Sequence, residues 1–343
     1  MTKIIQWTSS SAESRPEPKP HFVQVRRGRL RAESPLWSPR RGFDPGRMLR
    51  DPDIRRPRHV TRETDVHYDD LDLTLDPDGR TLWCYMRPRD CPSFTPPLLR
   101  ELIGLRRTLQ ARYLVPNPDI AVPLYFVGGS RLPRIYNLGG DLAFFTEKIR
   151  TQDYEGLQRY AYDCVDVGYH MSVGFNLPII TIALVQGDAL GGGFEGALSF
   201  NVIIAERSAK FGLPEVLMNL FPGMGAYNFL SRRLDAARAE RMIFSGEIYS
   251  ADELHAMGLV DVVCEDGEGE AAVRDYIARH AKHHMVQRSI RDVRNRVLPL
   301  TLKELRDCAD IWVDHALRLQ ESDLRKMERL RAAQHRRLAA QNS

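Results

Sequence analysis

Seven residues, Ile179-Ile180-Thr181-Ile182-Ala183-Leu184-Val185, constrain the fold of this chain more than any others. Pro178 opens the run, and most of it is β-branched. A run this short and this apolar reads as a strand buried on both faces, the kind found inside a largely parallel sheet. Six positions later Gly191, Gly192 and Gly193 begin a short helical stretch that reaches Ser199, and a second apolar run, 201–205, follows it. Strand, glycine turn, short helix, strand is an α/β pattern.

The rest of the chain extends this pattern. Leu71, Leu73 and Leu75 alternate with polar residues, Asp76-Pro77-Asp78-Gly79 makes a turn, and 81–86 returns as a second strand, so a β-hairpin is expected. A helix opened by prolines is expected over 96–113, a buried strand over 122–127, and two helices over 141–175, with Asp141 as an N-cap and Asp188 in a turn. Ser250 and Glu253 form a capping box before a short helix, and 260–263 reads as a strand. Beyond Gly267 the pattern is helical throughout, most clearly over 301–320 and 322–340. Leu305, Cys308, Ile311, Trp312, His315 and Leu319 recur near helical spacing there. Three regions are expected: an irregular Arg/Pro-rich extension over 1–60, an α/β core over 61–270, and a helical region over 271–343.

Composition narrows the class. With 343 residues and 43% hydrophobic content the chain can build a sizeable core, and a net charge of +4 makes it no obvious polyanion binder. The arginines are uneven, crowding residues 25–59 (Arg26, Arg27, Arg29 and Arg31 among them) and again 325–337. Such runs are mostly solvated surface; contact with an acidic protein is the next reading, and nucleic acid is not expected. Five cysteines without a C-x-x-C pair, and histidines without ligand spacing, give no expectation of a disulfide framework, a metal or another cofactor. The N-terminus lacks a signal-peptide pattern, and the most apolar segment, 177–185, is about half the length of a membrane helix. A cytoplasmic protein without a membrane span is expected.

The chemistry concentrates in Gly191-Gly192-Gly193-Phe194-Glu195 and, twenty positions on, Leu213-Pro214-Glu215. Glycines at a helix start bare backbone N–H groups that can hold a developing negative charge. Two carboxyls beside them can take and give protons. Residues 191–196 also match G-x-G-x-x-G, but Gln186 to Leu190 separate the strand from the first glycine, and the helix is too short for a dinucleotide crossover. Close packing of a small-residue helix is the plainer alternative. Leu217, Met218, Leu220, Phe221, Met224, Tyr227 and Phe229 follow Glu215 closely, and with Trp312 they are candidates for an apolar substrate pocket. Each is also a candidate for ordinary core. No G-x-S-x-G elbow is present.

Four segments, in order, resemble the crotonase (enoyl-CoA hydratase/isomerase) superfamily. They are Tyr136-Asn137-Leu138-Gly139-Gly140-Asp141-Leu142; the stretch from Ala183 through Gly187-Asp188-Ala189-Leu190 to Glu195; Ala209-Lys210-Phe211-Gly212-Leu213-Pro214-Glu215-Val216; and Ser250 through Gly258-Leu259-Val260-Asp261. They cover roughly residues 65–270. The run Gly212 to Tyr227 is similar to the bacterial diffusible signal factor synthases, crotonase-fold enzymes that make cis-2-unsaturated fatty acid signals from acyl carrier protein thioesters, dehydrating a 3-hydroxyacyl thioester and cleaving it at one site. The arginine-rich extension has no match in that pattern.

The resemblance implies a spiral of β-β-α units with C-terminal helices. It implies Gly140 and Gly192 as the oxyanion hole, with Glu195 and Glu215 as catalytic carboxyls. Its substrate would be the thioester of acyl carrier protein or of CoA, and its assembly a trimer or a dimer of trimers, for which the apolar face around Ile311, Trp312 and Leu319 offers a contact. An ordinary enoyl-CoA hydratase or isomerase is the second expectation, and a regulatory scaffold binding a signalling protein the third.

Overall fold

The computed structural model describes residues 67–89, 91–114 and 123–341. The extension expected over 1–60 lies outside them. Five strands pair first: β1 (Leu71–Leu75), β2 (Thr81–Met86), β3 (Tyr125–Ser130), β5 (Ile180–Val185) and β7 (Val202–Glu206), closed by β10 (Val262–Cys264). They form one six-stranded sheet in the order β1-β2-β3-β5-β7-β10, parallel except for the β1–β2 hairpin. Four three-residue strands, β4 (Ile135–Asn137), β6 (Asp188–Leu190), β8 (Lys210–Gly212) and β9 (Ile248–Ser250), make a second sheet in that order.

β3, β5 and β7 are each followed by a short strand in the other sheet and then by helix. After β3 and β4 come α2 (Leu142–Arg150) and α3 (Tyr154–Ser172), since α1 (Pro96–Leu114) lies between β2 and β3. After β5 and β6 comes α4 (Gly192–Ser199). After β7 and β8 come a 3₁₀ turn (Pro214–Met218), α5 (Ala226–Arg233) and α6 (Ala236–Ser245). This is the expected spiral of β-β-α units. α7 (Ala251–Ala256) carries both halves of the Ser250–Glu253 capping box and leads into β10.

β5 is buried along its whole length because both of its faces are covered. Ile180, Ile182 and Leu184 join an outer cluster with Trp83, Tyr125 and Ile204, roofed by Val273 and Tyr276 of α8 (Gly269–His280). Ala183 and Val185 face the larger inner core with α1 and α3. Each fully buried aliphatic side chain of this kind contributes about 1.5–3 kcal/mol.

Several boundaries move. β3 begins three residues later than expected and runs on through Gly128 and Gly129, where glycine permits close approach. A Cβ at Gly128 would lie 2.5 Å from the Phe200 ring, and one at Gly129 2.9 Å from the Tyr85 ring. β10 starts at Val262 because Val260 is turned in to hydrogen-bond Leu254. Asp188 opens β6 rather than sitting in a turn, while Asp141 caps α2 by accepting from Ala143 N and Phe144 N.

The last helices are α9 (His284–Val297), α10 (Leu302–Ala316) and α11 (Glu321–Gln341). The apolar face of α10 is covered by its own chain. Leu305, Ala309, Val313 and Ala316 are buried, and Trp312 (5% exposed) packs its ring on Phe145 with centroids 5.1 Å apart. Asp310 accepts from Gln158 and Tyr162 of α3, and Arg150 pairs with Glu321 and Glu328 of α11. Leu319 is buried as well, so of the face expected to meet a neighbour only Ile311 stands out, at 62% exposed. The bare apolar stripe lies instead on α9, where Val286, Ile290, Val293 and Val297 are each more than half exposed. No described helix is long and apolar enough to cross a membrane.

Candidate active site

Two glycine loops meet at the start of α4. Gly191 takes φ 54° and ψ −129°, a conformation that a side chain disfavours, and so aims the chain into the helix. Opposite, Gly139 has φ +100°. Asn137 Oδ1 accepts from Gly139 N at 2.8 Å, Phe94 N donates to Gly139 O at 2.8 Å, and the Tyr160 hydroxyl donates to Phe94 O at 2.5 Å. Each loop packs against the other with only glycine between them: a Cβ on Gly139 would sit 3.1 Å from Gly192 N, and one on Gly192 3.4 Å from Gly140 N. No protein acceptor is found among the described residues for the N–H of Gly140 or Gly192. Two unspent amides side by side, one at a helix N-terminus, form a place for an oxyanion.

Glu195 stands in the first turn of α4 and is 2% exposed. Its Oε1 accepts from Met224 N and Ala226 N, both at 2.8 Å. Those amides belong to the turn into α5, where Gly225 has φ +110°. Glu215 sits in the 3₁₀ turn; its Oε1 lies against Gly191, where a Cβ would come within 2.6 Å, and its Oε2 is buried with no hydrogen-bond partner. Burial raises both carboxyls. It pushes Glu195 up to about 7 from the ordinary 4.5, with the Ala226 and Met224 amides pulling the other way. Glu215 rises well above the usual carboxylate range, through burial first and the charge of Glu195 second. The two titrate as one unit. Burial and the like charge of the partner both favour a proton held within the pair.

The carboxyls and both glycines line a cavity with about 40 Å³ of free space, on the scale of a water molecule or two. Leu220, Met224 and Trp312 line it too. The other apolar candidates do not. Leu217 is 64% exposed on the outer side of its turn, and Tyr227 is exposed with its hydroxyl on Glu240. Met218 and Phe229 are core, and Phe221 packs edge-on against His315. Sequence reasoning missed Phe145, Tyr160 and Cys164, which α2 and α3 bring into the wall. Their helical spacing looks like that of any core residue; nearness to the Gly140 segment was the one signal available. Behind Glu195 a second, apolar cavity is walled by Met86, Phe94, Phe126, Met171 and Phe200, and it shares Cys164, Glu195 and Met224 with the first. A flexible methionine is the side chain best able to move aside between them.

The model of the enoyl-CoA hydratase/isomerase family matches residues 130–310. A "Probable enoyl-CoA hydratase" of Rhizobium meliloti is 30% identical over 236 residues, which cover 68% of this chain and 84% of that protein. The mitochondrial methylglutaconyl-CoA hydratase of Rattus norvegicus is 43% identical over 100 residues, but the match spans 29% of this chain and 32% of that enzyme. Among solved structures, an enoyl-CoA hydratase from Bacillus halodurans superposes with a TM-score of 0.61 at 18% identity, covering 75% of this chain and 98% of the other. DspI of Pseudomonas aeruginosa superposes with a TM-score of 0.56 at 24% identity, covering 74% and 98%. At these identities the superpositions speak for the fold alone.

Proposed function

This chain belongs to the enoyl-CoA hydratase/isomerase family, and on that premise we propose that its site dehydrates a 3-hydroxyacyl thioester at C2–C3 and cleaves the product thioester, releasing a cis-2-unsaturated fatty acid. The observation that carries this reading is a pair of buried carboxyls, both raised above the ordinary carboxylate range, beside two unspent glycine amides.

An α-proton next to a thioester is weakly acidic, and a hydroxyl is a poor leaving group. One carboxylate takes the α-proton while the N–H groups of Gly140 and Gly192 hold the oxygen of the enolate. As the C3–O bond breaks, the other carboxyl supplies a proton and water leaves. The pair starts and ends with a single proton between its members, so the cycle needs no net proton from outside. Each oxyanion donor is worth about 3–4 kcal/mol and each proton transfer about 10²–10⁴-fold in other enzymes. Cleavage uses the same amides: water adds to the thioester carbonyl, the tetrahedral oxyanion sits where the enolate oxygen did, and the carrier thiol departs. The cavity behind Glu195 is apolar but has only about 30 Å³ of free space, so a fatty chain would enter it as Met224 and its neighbours move aside; acyl carrier protein is the carrier implied by the likeness of residues 212–227 to signal factor synthases.

The likeness to the Rhizobium meliloti protein favours a second reading, an ordinary enoyl-CoA hydratase whose product stays esterified. Incubation with 3-hydroxyacyl thioesters of acyl carrier protein and of CoA, with products identified by mass spectrometry, separates the two. Free 2-enoic acid from the carrier-protein substrate supports the first; only 2-enoyl-CoA, with no free acid, supports the second. For the homo-oligomer that the family implies, the α9 stripe replaces the α10 face as the proposed contact.

A further inference from the structure

The opposite end of α4 gathers arginines. Arg232 and Arg233 close α5, and Arg291 and Arg294 lie on one side of α9. With Asn201 and Asp261 they line an open pocket of about 340 Å³, within the range of small-molecule sites. Two of the four guanidinium groups are engaged. Arg232 pairs with Glu304 at 2.8 Å and donates to the carbonyls of Asn228 and Pro299. Arg233 donates to the carbonyls of Phe200 and Leu259.

Arg291 and Arg294 are not engaged. Among the described residues neither side chain makes a hydrogen bond or an ion pair, and Arg291 Nε is buried without a partner. The only carboxylate lining the pocket, Asp261, already accepts from Ile203 N at 2.8 Å. With Arg232 neutralised by Glu304, three guanidinium groups face one carboxylate, an excess of two positive charges.

Burial pushes Arg233 and Arg291 down to about 10 and lowers Arg294 as well; repulsion among the guanidinium groups adds to this most at Arg291, and Asp261 pulls all three back in part. All three still carry full charge at neutral pH. Guanidinium cannot shed its proton there, so the repulsion can be relieved only by a counter-charge.

We propose that this pocket binds a doubly charged oxyanion, a phosphate or phosphate monoester, held by Arg291 and Arg294 with Arg233 behind them. The planar fork of arginine matches such oxygens in pairs, and the charge excess equals that of the dianion. The site is separate from the carboxyl cavity and does not depend on the proposed reaction.

Thermal unfolding of the full chain tests it, with inorganic phosphate, adenosine monophosphate, or sodium chloride at matched ionic strength. A ligand that binds only the folded state raises Tm in a saturable way. Phosphate should raise Tm by a few degrees beyond the chloride control. A response to the nucleotide alone would point to a phosphoryl group on a larger molecule. Arg291→Met and Arg294→Met should each abolish the specific rise, and without phosphate each should melt above wild type because repulsion is relieved. Calorimetric titration of the wild-type protein gives the same reading if a variant fails to fold. Equal shifts with chloride, an undiminished phosphate response in both variants, or no heat of binding would overturn the proposal. So would a loss of oligomer on light scattering in Arg291→Met together with no phosphate response, which would assign the counter-charge to a second copy of the chain.

Discussion

Both ends of α4 bring together groups of like charge held away from water, and they relieve the repulsion in different ways. At the N-terminal end, Glu195 and Glu215 can settle it between themselves: one keeps a proton, the other keeps its charge and spends it on the Met224 and Ala226 amides. At the C-terminal end, Arg233, Arg291 and Arg294 have no proton they can lose at neutral pH. The first cluster lines about 40 Å³ of free space and the second about 340 Å³. A buried acid pair is suited to moving a proton; a half-buried cluster of arginines is suited to holding an anion.

The largest effect that could break this contrast is loss of the shared proton. Glu195→Gln and Glu215→Gln should each fold and each lower turnover by about 10²–10⁴-fold. Near-wild-type turnover in either variant, on saturating substrate, would remove that carboxyl from the chemistry.

The acid end can also be tested through its cover. Trp312→Ala should cost about 3–5 kcal/mol of stability, because the ring packs on Phe145 and against Gly223, where a Cβ would lie 2.5 Å away. Leu217→Ser, two residues beyond Glu215 but on the surface, should change stability by no more than about 0.5 kcal/mol. Equal melting shifts in chemical denaturation would mean that α10 does not roof the site.

A smaller effect is the pH dependence of stability. Glu195 ordinarily ionises at 4.5 and here at about 7. Below 4.5 it is neutral in the folded and the unfolded chain, and burial carries no charge penalty. Between 4.5 and 7 the unfolded chain ionises this group while the folded chain still holds its proton, so stability falls across that window and levels off above 7, where the folded chain too carries the buried charge. Glu195→Gln keeps an oxygen for the two amides and never ionises. Its Tm should therefore gain on wild type steadily across this window. A constant difference in Tm would mean that Glu195 is charged throughout.

Much of the acid end was legible in the sequence. The glycine run fixed the start of α4, the β-branched run fixed β5, and the spacing of Glu195 and Glu215 located both carboxyls. The four three-residue strands were harder, since three residues are too few to show a period of two. The wall formed by Phe145, Tyr160 and Cys164 was hidden because helical periodicity marks what is buried and cannot tell core from cavity lining. The arginine pocket was hidden for a different reason. Its members come from α5 and α9, almost sixty positions apart, and each looks alone like a solvated surface charge.

The most direct test of the shared proton is an infrared spectrum of the carboxyl groups just above neutral pH. Wild-type protein should show the band of a neutral, buried carboxylic acid, shifted in heavy water, that is missing from Glu215→Gln and present in Glu195→Gln. Identical spectra for wild type and Glu215→Gln in that region would contradict the account, because Glu215 would then be ionised and the pair would have no proton to move.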